Sequence, residues 1–212
     1  MDRAIMLLSG GLDSAVCLFW AKEKGYDVYA ITFRYSQNQT REIRSAETIA
    51  KSVGLSEHRI VDVPFLKEIE EIQDARLKQS WPIAYIPMRN TIFYAIAASW
   101  AETLGAKYLI GGHNVTDAEE YPDATKGFFR AMNTVVGFSG QRKEVIPIRI
   151  VLPLSILDKA STVTLGSKLG VPFQYTWSCY ESREMACGKC QACVLRLQSF
   201  KKASLIDPLD YE

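Results

Sequence analysis

The 212-residue chain carries 25 lysines and arginines against 24 aspartates and glutamates, a formal net charge of +1. That length holds one core with at most a small appendage, and near-neutrality excludes the basic footprint of a protein built to bind nucleic acid or an anionic membrane. No apolar run approaches the roughly 18 residues of a membrane span, and no charged, apolar, small-residue leader is present, so a cytoplasmic protein is expected.

In chain order, Ile5 to Leu8 predicts a buried strand and Ser14 to Lys24 a helix stopped by Gly25. Val28 to Phe33 predicts a second strand, Glu42 to Val53 a helix ended at Gly54, and Arg59 to Val63 a third strand. The segment from Lys67 to Lys78 is helix-compatible but densely charged, and is expected as a surface insertion. Asn90 to Leu104 is the longest helical pattern, and Tyr108 to Ile110 follows as a short strand. Phe128 to Val136 is helix-compatible, Val145 to Val151 is a β-branched run, and Lys159 to Leu169 predicts a helix before Gly170. This alternation argues for an α/β fold with a parallel, Rossmann-like sheet covered by helices on both faces. The one shift in composition, after Trp177, divides an expected nucleotide-binding domain (residues 1–176) from a C-terminal segment (177–212).

Between the first strand and the first helix stand Leu7, Leu8, Ser9, Gly10, Gly11, Leu12, Asp13 and Ser14. A helix start offers unpaired amides and partial positive charge, so anions bind there, and glycines let the backbone approach a phosphate without a Cβ in the way. Asp13 repels phosphate unless a cation lies between them, which predicts that it helps hold Mg²⁺ against a nucleotide. A Gly-Gly turn with an ordinary helix cap explains the two glycines alone, but not the whole Ser-Gly-Gly-Leu-Asp-Ser string. The Lys-Ser/Thr pair of a Walker loop is missing.

Four of the five cysteines, Cys179, Cys187, Cys190 and Cys193, fall within a fifteen-residue stretch. Two successive C-x₂-C steps bring three thiolates to one ion and Cys179 completes a tetrahedron, the pattern of a closed structural zinc site; an iron–sulfur cluster uses the same ligands. Cys17 falls on the apolar side of the first helix and reads as core, and the isolated His58 and His113 read as structural.

Arg89 and Asn90 open the long helix, where an arginine suits a carboxylate or phosphate, while ordinary capping by Asn90 is the alternative. After the Tyr108 strand, Gly111 and Gly112 lead into Asn114, Asp117, Tyr121 and Asp123, expected on a loop at the carboxyl edge of the sheet. Such a loop pairs with the donor edge of a purine-like base, or is simply polar surface.

The string SGGLDS resembles the PP-loop of the N-type ATP pyrophosphatases. Together with IPMRN, NVTDAEEYPD, LPLSILDKA and WSCYESREMACGKCQAC, it resembles the 7-cyano-7-deazaguanine synthase family over nearly the whole chain. The resemblance implies a PP-loop core with a small zinc-binding subdomain, ATP and Mg²⁺ at residues 7–14, and catalytic roles for Asp13 and Lys159. It implies that Arg89, Asn90, Asn114, Asp117, Tyr121 and Asp123 bind 7-carboxy-7-deazaguanine, with ammonia as the other substrate and a homodimer as the assembly. The family's Tyr-Gly-Gln-Arg-His is here Tyr35, Ser36, Gln37, Asn38 and Gln39, and Ala124 stands where a cysteine is frequent. A PP-loop paralogue with another acceptor (amide-only product, protein modification or tRNA thiolation) and a non-enzymatic, zinc-stapled nucleotide-binding module are the competing readings.

Overall fold

Strand β1 (Arg3–Leu7) and the residue after it alternate between two cores: Ala4, Met6 and Leu8 face one side of the sheet and Ile5 the other. The computed structural model describes residues 1–35, 40–55, 57–72, 85–138, 147–181 and 184–212. Helix α1 (Leu12–Glu23) follows, then β2 (Asp27–Arg34), α2 (Thr40–Ser52), β3 (His58–Asp62) and α3 (Phe65–Ile72). Next come α4 (Arg89–Leu104), β4 (Tyr108–Ile110), α5 (Val115–Glu120), a 3₁₀ turn (Pro122–Ala124) and α6 (Lys126–Phe138). Strand β5 (Arg149–Val151), α7 (Lys159–Lys168), a 3₁₀ turn (Phe173–Tyr175) and α8 (Gln191–Lys202) complete the order.

The described strands form one five-stranded sheet in the order β3-β2-β1-β4-β5, with every pair parallel. Ile5 of β1 faces Tyr29 of β2 on one side and Leu109 of β4 on the other, so the order reverses between β1 and β4. Open parallel sheets bind ligands at the carboxyl ends of such a pair, and that is where the Ser9–Ser14 loop and the Gly111–Asn114 turn both emerge.

One face of the sheet is covered by α1, α2 and α7, with Phe173 and Phe200 joining their core. The other is covered by α4 and α6, with Tyr94, Phe129 and Met132. Fully buried aliphatics such as Leu8, Leu18, Ile49 and Leu154 each contribute about 2 kcal/mol to holding these layers. The C-terminal segment carries a small cluster of its own around Trp177, Cys179, Ala186, Cys187 and Cys193. Helix α8 extends from that cluster onto α7, so the segment is anchored to the main core through Phe200.

The pattern read from sequence differs from the structure in four places. The polar stretch after β4 is not all loop: Val115–Glu120 is helical because Asn114 and Asp117 form a reciprocal capping box. Helix α8 begins inside the last C-x₂-C step, where the cysteine spacing masked its amphipathic pattern. Of the segment from Lys67 to Lys78, residues 67–72 lie in α3 and the remainder falls outside the described residues. Strand β5 takes only the last three residues of the β-branched run, whose first two are also outside them.

Candidate active site

The turn from β1 into α1 is shaped by its glycines and hydroxyls. Gly10 has φ +85°, and a Cβ there would stand 2.1 Å from the Glu42 carbonyl oxygen on α2. Ser14 Oγ donates to the Gly11 carbonyl (3.0 Å) and accepts from the Ser9 amide (3.2 Å), while Ser9 Oγ accepts from the Gly11 amide (3.2 Å). The loop is thus internally braced, yet among the described residues no side chain caps α1. Its first amides stay available to an anion, with the helix dipole adding to the attraction.

Gly112, after β4, approaches this turn so closely that a Cβ on it would meet the Asp13 carbonyl carbon and the Ser14 amide at 3.0 Å. The contact brings α5 beside the loop. Asn114 Oδ1 accepts from the Thr116 and Asp117 amides, and its Nδ2 donates to Asp13 Oδ1 at 3.3 Å. Lys159 Nζ, at the start of α7, donates to the other Asp13 oxygen at 2.9 Å. Asp13, the nearest negative charge, pushes the Lys159 pKa up against the opposing effect of burial. Asp117 Oδ2 accepts from the Asn114 amide at 2.9 Å, and burial, reinforced by the negative charge of Asp13, raises the Asp117 carboxyl to about 6.

Two cavities flank Asp13. The larger, about 330 Å³, runs over the ends of β1 and β2 and is lined by Leu7, Leu8, Ser9, Gly11, Asp13 and Ser14 together with Arg89, Asn90, Asp117 and Tyr121. The smaller, about 210 Å³, lies between α1, α5, α7 and α8, and is lined by Leu12, Asp13, Asp117, Tyr121 and Lys159 among others. The residues singled out from sequence therefore converge on one edge of the sheet, with three exceptions in detail. Gly10 shapes the loop from behind. Asn114 is buried as the cap of α5 and the holder of Asp13. Asp123 is buried too: its Oδ2 accepts from the Asn90 amide at 3.1 Å and its carbonyl accepts from Asn90 Nδ2 at 2.9 Å, so it secures the start of α4. Asn90 does not cap α4; Met88 occupies that position with φ 58°.

The sequence reading missed several wall residues. Phe33 and Phe93 stack at 4.1 Å with 5° between their planes, and Thr32, Trp177 and Ser178 also line the larger cavity. Thr32 and Phe33 were findable, because the strand beside a loop-bearing strand shares its carboxyl edge. His113 lines the same cavity but packs against Tyr94 and Phe129, and burial lowers its pKa to about 4, so it is neutral at pH 7. His58 opens β3 beside β2, its Nε2 2.7 Å from Thr32 Oγ1, and Cys17 is fully buried with its thiol donating to the Gly111 carbonyl. Residues 36–39, where the chain departs from the family pattern, lie outside the described residues.

The four C-terminal cysteine sulfurs lie within 4.8 Å of one another, and none of these cysteines is in a disulfide. Tetrahedral zinc–thiolate bonds set sulfurs about 3.8 Å apart, so modest contraction closes the site. Cys187 Sγ accepts from the Lys189 amide (3.5 Å) and the Cys190 amide (3.3 Å), and these donors lower its pKa to about 7. Cys179 Sγ accepts from the Glu181 and Cys187 amides. Backbone donors aimed at sulfur stabilise thiolates, so the residues present fit a tetrathiolate metal.

A parallel sheet whose switch point carries an uncapped Ser-Gly-Gly-Leu-Asp-Ser helix start defines a nucleotide-binding α/β protein of the PP-loop class. A solved 4-thiouridine synthetase, in an RNA complex with bound ATP, has the same fold: TM-score 0.61, 17% identity, covering 96% of this chain and 50% of that one. The family described as Queuosine biosynthesis protein QueC matches residues 3–204, and the chain belongs to it. A 7-cyano-7-deazaguanine synthase of Oceanobacillus iheyensis is 40% identical over 218 residues, covering 99% of this chain and 98% of the relative. One of Thermoplasma volcanium is 39% identical over 219 residues, covering 99% and 90%. No helix among the described residues is long and apolar enough to cross a membrane.

Proposed function

We propose that this protein is an ATP-dependent carbon–nitrogen ligase that converts 7-carboxy-7-deazaguanine and ammonia into 7-cyano-7-deazaguanine. The observation that carries the reading is Asp13, held by Asn114 and Lys159 at the rim of an uncapped phosphate-type loop and shared by two cavities. The name carried by the relatives favours this acceptor over the alternatives.

A carboxylate is a poor electrophile, and moving AMP onto its oxygen with release of pyrophosphate supplies a leaving group. Ammonia then displaces AMP to give the amide. A second ATP adenylates the amide oxygen, which departs on AMP as the nitrile forms, so each ATP ends as AMP and pyrophosphate. In this scheme the open amides of α1, with Ser9 and Ser14, bind the phosphates, and Lys159 stabilises charge developing on the leaving pyrophosphate. Asp13 is the ligand for Mg²⁺, which when bound neutralises the phosphate oxygens. Arg89, Asn90, Asp117 and Tyr121 contact the deazaguanine, while Asn114 and Asp123 hold the α5 and α4 starts on which those contacts stand. The cysteine site is structural zinc: it has no ligand position left for chemistry. The assembly is a homodimer in the cytoplasm, and the balanced charge supports the absence of a nucleic-acid partner.

The test is incubation with ATP, Mg²⁺, ammonium and 7-carboxy-7-deazaguanine, with nucleobase and nucleotide products followed by mass spectrometry. Nitrile with AMP is expected. Amide alone would mark a paralogue that stops halfway, and no turnover would sink the proposal. Sedimentation at equilibrium tests the dimer.

A further inference from the structure

Arg196 of α8 is 3% exposed and its guanidinium is fully engaged. Nε and Nη2 donate to the two oxygens of Asp207 at 2.8 and 2.9 Å, in an ion pair whose side chains are 2% and 3% exposed. Nη2 also donates to the Phe173 carbonyl (3.0 Å). Nη1 donates to the Thr176 hydroxyl (2.6 Å), the Thr176 carbonyl (3.3 Å) and Ser178 Oγ (3.4 Å). Every one of those acceptors apart from Asp207 belongs to residues 173–178.

That strap reaches the nucleotide loop. The Trp177 amide donates to the Gly10 carbonyl at 2.9 Å, and the Trp177 carbonyl lies 3.6 Å from the space a Cβ on Gly11 would fill. Asp207 is fixed in turn by the C-terminal tail: it accepts from the Leu209 amide (3.1 Å) and the Tyr211 hydroxyl (2.6 Å). The tail itself pairs with Ala186 inside the cysteine loop.

We propose that Arg196, held by Asp207, is a positioning residue for ATP: it fixes the strap so that the Trp177 amide holds Gly10, and with it the phosphate-binding amides, in the binding form. A planar five-donor fork bridges a carboxylate and four acceptors on three residues of the strap at once, which an ammonium does not. A bare fold staple needs only the Asp207 pair; the further bonds, all to the strap that touches the loop, give the pair its reach. The inference rests on the reading that residues 9–14 take ATP.

The test is Arg196→Lys in the zinc-replete full chain, which keeps the charge beside Asp207 but loses the fork. We expect KM for ATP to rise about tenfold while kcat and KM for the carboxylate stay within about twofold. Amide exchange at Trp177 should accelerate, with zinc content unchanged. Faster exchange with an unaltered KM for ATP would overturn the proposal, as would a uniform loss in all three kinetic constants. Should that variant fail to fold, Thr176→Val removes one Arg196 acceptor, together with that hydroxyl's own bond to the Phe173 carbonyl, at nearly constant volume; a rise of about threefold in KM for ATP is expected, and an unchanged value overturns the proposal. Parent protein that binds no ATP by calorimetry would instead sink the assignment of the loop, a result distinct from either variant's.

Discussion

Replacing Asp117 by asparagine removes one negative charge from the pair it makes with Asp13 while leaving an acceptor for the Asn114 amide, so the α5 capping box survives. Burial and Asp13 displace the folded-state pKa from the ordinary 3.8 to about 6, which corresponds to roughly 3 kcal/mol. The sign follows from proton linkage. The folded protein holds this proton more tightly than the unfolded chain, so the group's contribution is fully present below about pH 4 and is lost as pH rises through about 6. At pH 7 the parent bears the whole cost and the Asn variant none of it. Urea unfolding at intervals from pH 4 to 8 on both proteins isolates the effect, because titrations not coupled to Asp117 cancel in the difference. The expected difference is near zero at pH 4 and grows to about 1–3 kcal/mol in favour of the variant above pH 6. Coupling to Asp13 and Lys159 sets the lower figure. A flat difference, or one favouring the parent, would refute the argument. The same variant should lose at least about tenfold in kcat/KM, since a buried charge kept at a net cost to folding belongs to the ligand.

Gly10→Ala should be far more damaging: the Cβ would stand 2.1 Å from the Glu42 carbonyl oxygen at a backbone of φ +85°, so α2 must move or the loop must turn. Roughly 3 kcal/mol of stability and all measurable ATP binding should be lost, read by urea midpoint and calorimetric titration. Lys159→Met keeps the length of the side chain but removes the partner of Asp13; kcat should fall about a hundredfold or more, with KM for the carboxylate little changed in steady-state assays. Metal analysis should find one zinc per chain, and Cys187→Ser should abolish it and lower the melting midpoint by about 10 °C in calorimetry.

The sheet was legible because its central strands are apolar on both faces, and Gly25, Gly54, Gly105 and Gly170 punctuate the helices that follow. Strand order was not, since nothing in a βα alternation says that β4 returns beside β1 rather than adding to β3. The nucleotide loop was legible as a string because its residues are contiguous. The wall opposite it was legible only at Thr32 and Phe33, for Phe93 and Trp177 come from separate elements and carry side chains that an ordinary core also uses. Asn114 and Asp123 show the remaining difficulty. Sequence marked both as polar groups at a binding edge, but polarity does not disclose whether a group faces a ligand or a helix start. Here the orphan amides of α4 and α5 claim them.

That division of labour bears on how so acidic an edge would serve the anionic nucleotide of the proposed reaction. Asp13 and Asp117 stand within interaction range of one another, an arrangement that repels phosphate if both charges are left bare. The structure answers the first charge with Lys159 and the second with burial that favours the protonated acid. Both answers are reversible. On the proposed reading Asp13, now paired with Lys159 at 2.9 Å, would hold the magnesium of magnesium–ATP, a charge that would favour the ionised form of Asp117. Lys159, freed of its partner, would then stand next to the phosphates whose charge the proposed reaction asks it to meet. An Asp13–Lys159 pair dissolved in this way predicts proton release accompanying magnesium–ATP binding at pH 6. Calorimetry in buffers of differing ionisation enthalpy would detect that release, and Asp117→Asn should remove it; equal heats for the parent in all buffers would show that the carboxylates are already ionised and that the mutual-repulsion account of this edge is wrong.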